Sequence, residues 1–286
     1  MHVKTSKIIK MLTKNPAFLF DIFKYVKNDL FSLLGIYKYD YPVLFIAGLP
    51  KSGTTWVETQ LLKIPGYNIR PIKDSDHCTI DHDICEAVFE SLPGKGYSVL
   101  KLHTQYSAEN LRVIRKYVQK FVIIIRDLRD MCISRYFHVK SEEAHRHYEL
   151  YNNESLEAGM MHCIEIVDEA YVPWVRNWVE IAKENPDTIL VVKYEDINQL
   201  TAATFKKIFD FFHLPDACLQ EISKSKLQTG KNLKNELLKA GFSKSTARKG
   251  IVGDWKNYFS PAHKQKFKRI AGDLLIELDY EKNHDW

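Results

Sequence analysis

The sequence has no long uncharged run. The longest stretch without Asp, Glu, Lys or Arg is ten residues, 41–50, about half of what a helix needs to cross a bilayer, so a membrane-spanning helix is excluded. Glycine and proline are sparse, 12 and 10 among 286 residues, which excludes collagen-like and low-complexity chains. The five cysteines (Cys78, Cys85, Cys132, Cys163, Cys218) are odd in number, scattered and without a C-x-x-C pair. Neither a disulfide framework nor a zinc site is indicated, and reduced thiols in the cytoplasm are the expectation. Lys4, Lys7 and Lys10 open the chain, but Lys14 and Asp21 interrupt the apolar residues behind them and no small-residue cleavage site follows, which speaks against a secretory signal.

What is present is the make-up of a compact globular chain: 45% hydrophobic, 27% charged and 12% aromatic residues. The net charge of +5 is mild, yet residues 222–256 hold nine Lys/Arg against two acids. That segment alone carries more than the net charge of the chain, and it is either a solvated face or a site for an anionic ligand. Nucleic acid is the weaker partner, since no recognisable binding motif accompanies the charge.

Four short apolar runs rich in β-branched residues, 43–48, 97–102, 120–125 and 188–193, read as buried parallel strands. Between them lie helical stretches at 54–63, 108–118 and about 155–185, long enough for βαβ crossovers. This rhythm predicts one α/β domain over 41–286, with a central parallel sheet flanked by helices. Residues 1–40 are read as an N-terminal helical extension, with Ile8, Ile9, Leu12, Phe18, Leu19, Ile22 and Phe23 as its apolar face; packing on the domain is favoured over a membrane-surface anchor. The segment 227–253, with Gly230, Gly241, Gly250 and Gly253 and no sustained period, reads as a basic loop or lid.

The first strand runs into Leu49-Pro50-Lys51-Ser52-Gly53-Thr54-Thr55-Trp56. A strand, a short Gly-containing turn and a helix start is what a phosphate cradle requires, because amides at a helix N-terminus converge on an anion with the helix dipole behind them. Gly48 and Gly53 match the spacing of G-x-x-x-x-G-K-[ST], but Thr54 holds the lysine position and Lys51 stands inside the loop. This is not a nucleoside triphosphate loop. An ordinary strand-to-helix turn would not call for a lysine and three hydroxyls at its tip.

The segment Pro50 to Trp56 resembles the 5′-phosphosulfate loop of sulfotransferases that use 3′-phosphoadenosine 5′-phosphosulfate (PAPS), and further matches follow in order. Arg126-Asp127-Leu128-Arg129-Asp130, with Ser134 eight residues after Arg126, is similar to the family's 3′-phosphate segment. Arg248-Lys249-Gly250 followed by Gly253-Asp254-Trp255-Lys256-Asn257 resembles its C-terminal cofactor signature, and Tyr194 its adenine-contacting tyrosine. Lys101-Leu102-His103 falls where the family keeps its catalytic histidine. The likeness covers about residues 43–275 and implies a P-loop-like nucleotide-binding fold. It also implies transfer of a sulfuryl group from PAPS to a hydroxyl or amine of a small-molecule acceptor, leaving adenosine 3′,5′-bisphosphate (PAP).

Lys51, Ser52, Gly53, Thr54 and Thr55 would hold the 5′ end, and Arg126, Ser134, Arg248, Lys249 and Gly250 the 3′-phosphate; Trp56 and Tyr194 would offer aromatic faces to adenine and are equally well read as core aromatics. His103 would be the general base, because an imidazole titrates near neutrality. Lys51 and Lys101 would neutralise developing charge, with no metal required.

The sequence departs from the family pattern in places. Thr104-Gln105 replaces the usual Leu-Pro after His103, and Leu227 stands near the place of an adenine-stacking aromatic. Of the family's dimerisation motif only Lys256 survives, with Ser260, Pro261 and Gln265 at the other positions. Asp74, Asp76, His77, Asp81, His82, Asp83 and Cys85 match no standard metal spacing. The acidic stretch 74–90 is read as a solvated loop or as one wall of a pocket for a cationic acceptor. His145, His147 and the Gly94-Lys95-Gly96 run are weak signals. Competing functions are a P-loop kinase, disfavoured by Lys51 preceding Gly53, and a non-catalytic nucleotide-binding module, which has no use for His103; a carbohydrate sulfotransferase of the membrane-anchored Golgi type is a variant of the main reading.

Overall fold

The computed structural model describes residues 16–70, 83–223 and 249–286. Five parallel strands, β1 (Val43–Gly48), β2 (Tyr67–Ile69), β3 (Tyr97–Leu102), β4 (Phe121–Ile125) and β5 (Ile189–Lys193), form one sheet in the order β2-β3-β1-β4-β5. The four expected strands are present, with two starts shifted by one residue. The short edge strand β2 has no counterpart among the expected elements; three residues, Tyr67-Asn68-Ile69, carry no periodic signal of their own.

Residues of β1 alternate between two cores, as a strand with period two must when both faces are covered. Phe45 and Ala47 join one cluster with Met131, Ile164, Trp178 and Leu274, and Leu44 and Ile46 join the other with Trp56, Phe205 and Phe209. The second core is closed by α2 (Thr54–Leu61) and α10 (Thr201–Phe211). The first is closed by α4 (Ala108–Tyr117), α5 (Leu128–Lys140), α7 (Leu156–Ile166), α8 (Val172–Glu184) and α12 (Pro261–Glu277).

The long helical stretch expected over 155–185 is present but widens to a π-turn at Val167–Tyr171, just before Pro173. Proline has no N–H to donate to the preceding turn, so the regular i→i−4 ladder lapses there. Ahead of the sheet, α1 (Pro16–Leu33) leads into β1, and the short helices α3 (Glu86–Glu90), α6 (Tyr148–Asn153), α9 (Tyr194–Gln199) and α11 (Asp216–Ser223) lie between the longer ones. Leu227, Arg248 and all but Lys249 to Gly253 of the expected lid lie outside the described residues, as do Asp74 to His82.

Candidate active site

In this strand order the connections from β1 and β4 leave in opposite directions, so a crevice opens between the C-terminal ends of these two neighbours, where open α/β sheets bind ligands. Register then lines up the candidate residues. Ala47 pairs with Leu102, Gly48 with Ile124, and Ile125 with Lys193. The residues that follow, His103, the Leu49 to Gly53 loop, Arg126 and Tyr194, therefore emerge in one row along the carboxyl edge of the sheet.

The loop after β1 is tightly built. A Cβ on Gly48 would lie 2.5 Å from Thr54 Cγ2, 2.8 Å from Ser52 Oγ and 2.9 Å from the Ile124 carbonyl oxygen, so only glycine fits. Ser52 donates through both N–H and Oγ to the Leu49 carbonyl, at 3.1 and 2.7 Å. Lys51 sits at φ 76°, a left-handed conformation that costs a non-glycine residue about 1–2 kcal/mol. Gly53 caps α2 at φ 89° without a side chain to satisfy the first turn. The first intrahelical bond is Trp56 N–H to Gly53 O at 2.9 Å, so the amides of Thr54 and Thr55 precede the ladder and are oriented for an external acceptor.

Arg126 joins the loop to the far side of the crevice. It is buried, donates to the Lys51 carbonyl at 3.1 Å and stacks 4.2 Å above the Tyr194 ring. Tyr194 in turn packs against Gly53, where a Cβ would come within 2.5 Å of its Cδ2. Its hydroxyl and the Asn198 amide both reach the Gly250 carbonyl, at 3.4 and 2.9 Å. Asp130 accepts the Gly253 and Trp255 amides at 2.7 and 3.0 Å, fastening the C-terminal signature to α5. Burial pushes the Asp130 carboxyl up, helped by Asp127 and opposed by Arg126.

On the other side of the loop, Lys101 donates to Thr55 Oγ1 at 3.1 Å and lies 3.4 Å from Glu58. Burial raises the Glu58 carboxyl, with Lys101 pulling it partly back. His103 Nδ1 is 2.6 Å from the Gly48 carbonyl oxygen. A carbonyl only accepts, so Nδ1 carries the proton, and the lone pair of the ring in its neutral form is on Nε2.

The other expected residues are placed less uniformly. Ser134 is buried on α5, two turns from its start. The Lys249 ammonium is 3.0 Å from the Tyr258 hydroxyl and 3.6 Å from Asp254, so it is held by its own segment. Trp56 is buried in the second core cluster, and its indole N–H has no partner among the described residues. Of the acidic stretch 74–90, Asp83 accepts from the Asn110 amide at 3.1 Å, Glu86 pairs with Arg112 and Lys116, and Glu90 accepts from Tyr117.

Sequence reasoning gives Asp130 no role of its own within the Arg126 to Asp130 segment, and it passes over Asn198 and His138. His138 follows Ser134 by four residues, on the same face of α5; burial and then the charge of Lys51 lower its pKa. That four-residue offset is the available signal. Among the described residues no group of three or more His, Cys, Asp or Glu could hold a metal ion, and no helix is long and apolar enough to cross a membrane.

The sulfotransferase domain model matches residues 42–279. The chain belongs to the sulfotransferase family. Among curated relatives, cytosolic sulfotransferase 10 of Arabidopsis thaliana is 23% identical, with 91% of this chain and 87% of the relative covered. Sulfotransferase 1B1 of Canis lupus familiaris is 26% identical, with 81% and 84% covered. Mouse sulfotransferase SULT7A1, solved with PAP, superposes with a TM-score of 0.61 at 21% identity over 88% of this chain and 90% of its own. Retinol dehydratase, solved with androsterone and PAP, gives 0.55 at 17% identity over 82% and 80%. The expected P-loop-like sulfotransferase fold is therefore the observed one. In this sulfotransferase the buried Arg126 Nε has no partner among the described residues, and a guanidinium edge beside a helix N-terminus suits a phosphate-bearing nucleotide.

Proposed function

We propose that this chain transfers the sulfuryl group of PAPS to a hydroxyl or amine of a small-molecule acceptor. The observation that carries the reading is the placement of His103 against Gly48, with Nδ1 held by the carbonyl that leads into the Lys51 loop. A base and an anion cradle share one carboxyl edge of the sheet.

Bound PAPS supplies the sulfuryl group and, as leaving group, the 5′-phosphate of PAP. The amides of Thr54 and Thr55 and the Lys51 ammonium stabilise charge on that leaving phosphate. Arg126, with Ser134, Arg248, Lys249 and the Gly250 backbone, binds the 3′-phosphate, and Tyr194 contributes its ring to the nucleotide side. His103 Nε2 takes the acceptor's proton as the acceptor–sulfur bond forms, and Lys101 steadies the sulfuryl oxygens.

The acidic composition of 74–90 is what supports a cationic acceptor; its described carboxylates Asp83, Glu86 and Glu90 are engaged with Asn110, Arg112, Lys116 and Tyr117, and Asp74, Asp76 and Asp81 lie outside the described residues. The cytosolic names of its relatives support a cytoplasmic enzyme. The test is PAP release from PAPS in the presence of neutral, anionic and cationic hydroxyl and amine acceptors. Acceptor-dependent PAP formation is expected; PAPS binding with no turnover on any acceptor would leave a nucleotide-binding module.

A further inference from the structure

Helix α1 presents its polar side to the domain. The Asn28 amide is buried 2.8 Å from the Asn68 amide, Asp29 pairs with Arg70, and the Lys24 ammonium reaches the Leu62 carbonyl at 3.4 Å. Its apolar side faces outward. Phe23, Val26, Leu30 and Leu33, with Leu34 just past the helix end, are each 50–69% exposed. At about 100° per residue these five fall within an arc of about 100°. Six of the ten exposed large hydrophobic residues among those described lie between Phe23 and Ile36. Scattered exposed apolar residues need no explanation; a contiguous stripe on one helix does. Of the apolar face expected from the sequence, Phe23 is exposed, and the side chains of Ile8, Ile9, Leu12, Phe18, Leu19 and Ile22 lie outside those described.

Charge says what covers the stripe. Residues 1–38 contain seven lysines and two aspartates, a segmental excess equal to that of the whole chain. Lys24, Lys27 and Lys38 are exposed, and Lys27 flanks the stripe 5.4 Å from the Phe31 ring. A second copy of the chain docking face to face would bring two such positive segments together, whereas an anionic lipid surface offers opposite charge to the lysines and an apolar layer to the stripe. We propose that α1 lies in the interfacial plane of an anionic bilayer, with Phe23, Val26, Leu30, Leu33 and Leu34 in the headgroup–acyl boundary and Lys27 and Lys38 at lipid phosphates, so that the enzyme works as a peripheral membrane protein. The 18-residue helix, about 27 Å long, lies flat rather than spanning.

The experiment is co-sedimentation of the full chain with vesicles of phosphatidylcholine alone or with about one third phosphatidylserine. Binding to the anionic vesicles, weaker at high salt, is expected. Leu30→Asp with Leu33→Asp should lower partitioning about tenfold or more, and Lys27→Gln with Lys38→Gln should lower it and flatten the salt dependence. Leu33→Gln alone and unchanged PAP affinity guard against misfolding as the cause. A wild-type protein left in the supernatant with anionic vesicles, or Asp variants that pellet like wild type, would overturn the proposal. So would a dimer that dissociates in the Asp variants without any vesicle binding.

Discussion

Arg126 and Tyr194 form a stacked pair, guanidinium carbon 4.2 Å from the ring centroid, and the pair ties the loop after β1 to the segment around Gly250. Both residues follow directly on hydrogen-bonded neighbours, since Ile125 pairs with Lys193 in the sheet. The contact is therefore a consequence of strand register, and it holds the guanidinium in a fixed plane at the crevice.

If that guanidinium reads the 3′-phosphate, Arg126→Ala should weaken PAP binding by about 1.5–3 kcal/mol, the worth of a charge-assisted hydrogen bond. Binding of adenosine 5′-monophosphate, which lacks the 3′-phosphate, should change far less. Isothermal titration with the two nucleotides decides it: equal losses would place Arg126 in loop architecture instead. Tyr194→Leu, which removes the stack but keeps bulk against Gly53, should weaken both nucleotides together.

His103→Ala is expected to lower kcat by about 10²–10⁴-fold while PAP affinity stays near wild type, because a base acts in the transition state. Single-turnover rates and PAP titration on the same preparation separate the two effects. A near-normal kcat would remove His103 as base and turn attention to His138, an imidazole that feels the charge of Lys51.

Lys51 should show a split between stability and activity. Its φ of 76° favours glycine, so Lys51→Gly should be more stable than Lys51→Ala by about 1 kcal/mol. Both variants should lose turnover by orders of magnitude, because each removes the ammonium. Melting temperatures and PAPS turnover of the pair are the measurements, and equal melting temperatures would mean that the loop relaxes around either residue.

Much of this site is legible in the chain because its parts sit at strand ends. Lys51, His103, Arg126 and Tyr194 each follow an apolar β-branched run, and runs that pair in parallel deliver their next residues to one edge. What is not legible is the second layer of contacts. Asp130 is an ordinary acid in sequence, and only the fold brings it to amides 123 and 125 residues away. The inverted polarity of α1 is hidden for a related reason: a periodic apolar face shows that a helix forms, and the Asn28–Asn68 and Asp29–Arg70 contacts that decide which face turns inward are long-range. Edge strand β2 is too short to announce itself, and its pairing with β3 is what defines it.

Glu195, next to Tyr194, predicts a pH dependence of stability. Burial, reinforced by Asp127, raises its carboxyl from the usual range to about 7, although it accepts from the Asp127 amide at 3.1 Å and from the Tyr280 hydroxyl at 3.0 Å. With the folded pKa above the unfolded one, the native state holds a proton that the unfolded chain has already released between about pH 4.5 and 7. Stability from this group is thus present at low pH and is lost as pH rises through that window. A neutral amide keeps the form the fold prefers: in Glu195→Gln the side-chain carbonyl oxygen can still accept from the Asp127 amide, and the new NH₂ can donate to the Tyr280 oxygen. The substitution should therefore be nearly neutral at pH 5 and stabilising at pH 8, by about 1–3 kcal/mol. Thermal melts of the two proteins at both pH values test this, and a difference in melting temperature that is the same at pH 5 and pH 8 would show that Glu195 is already ionised in the native state at pH 5.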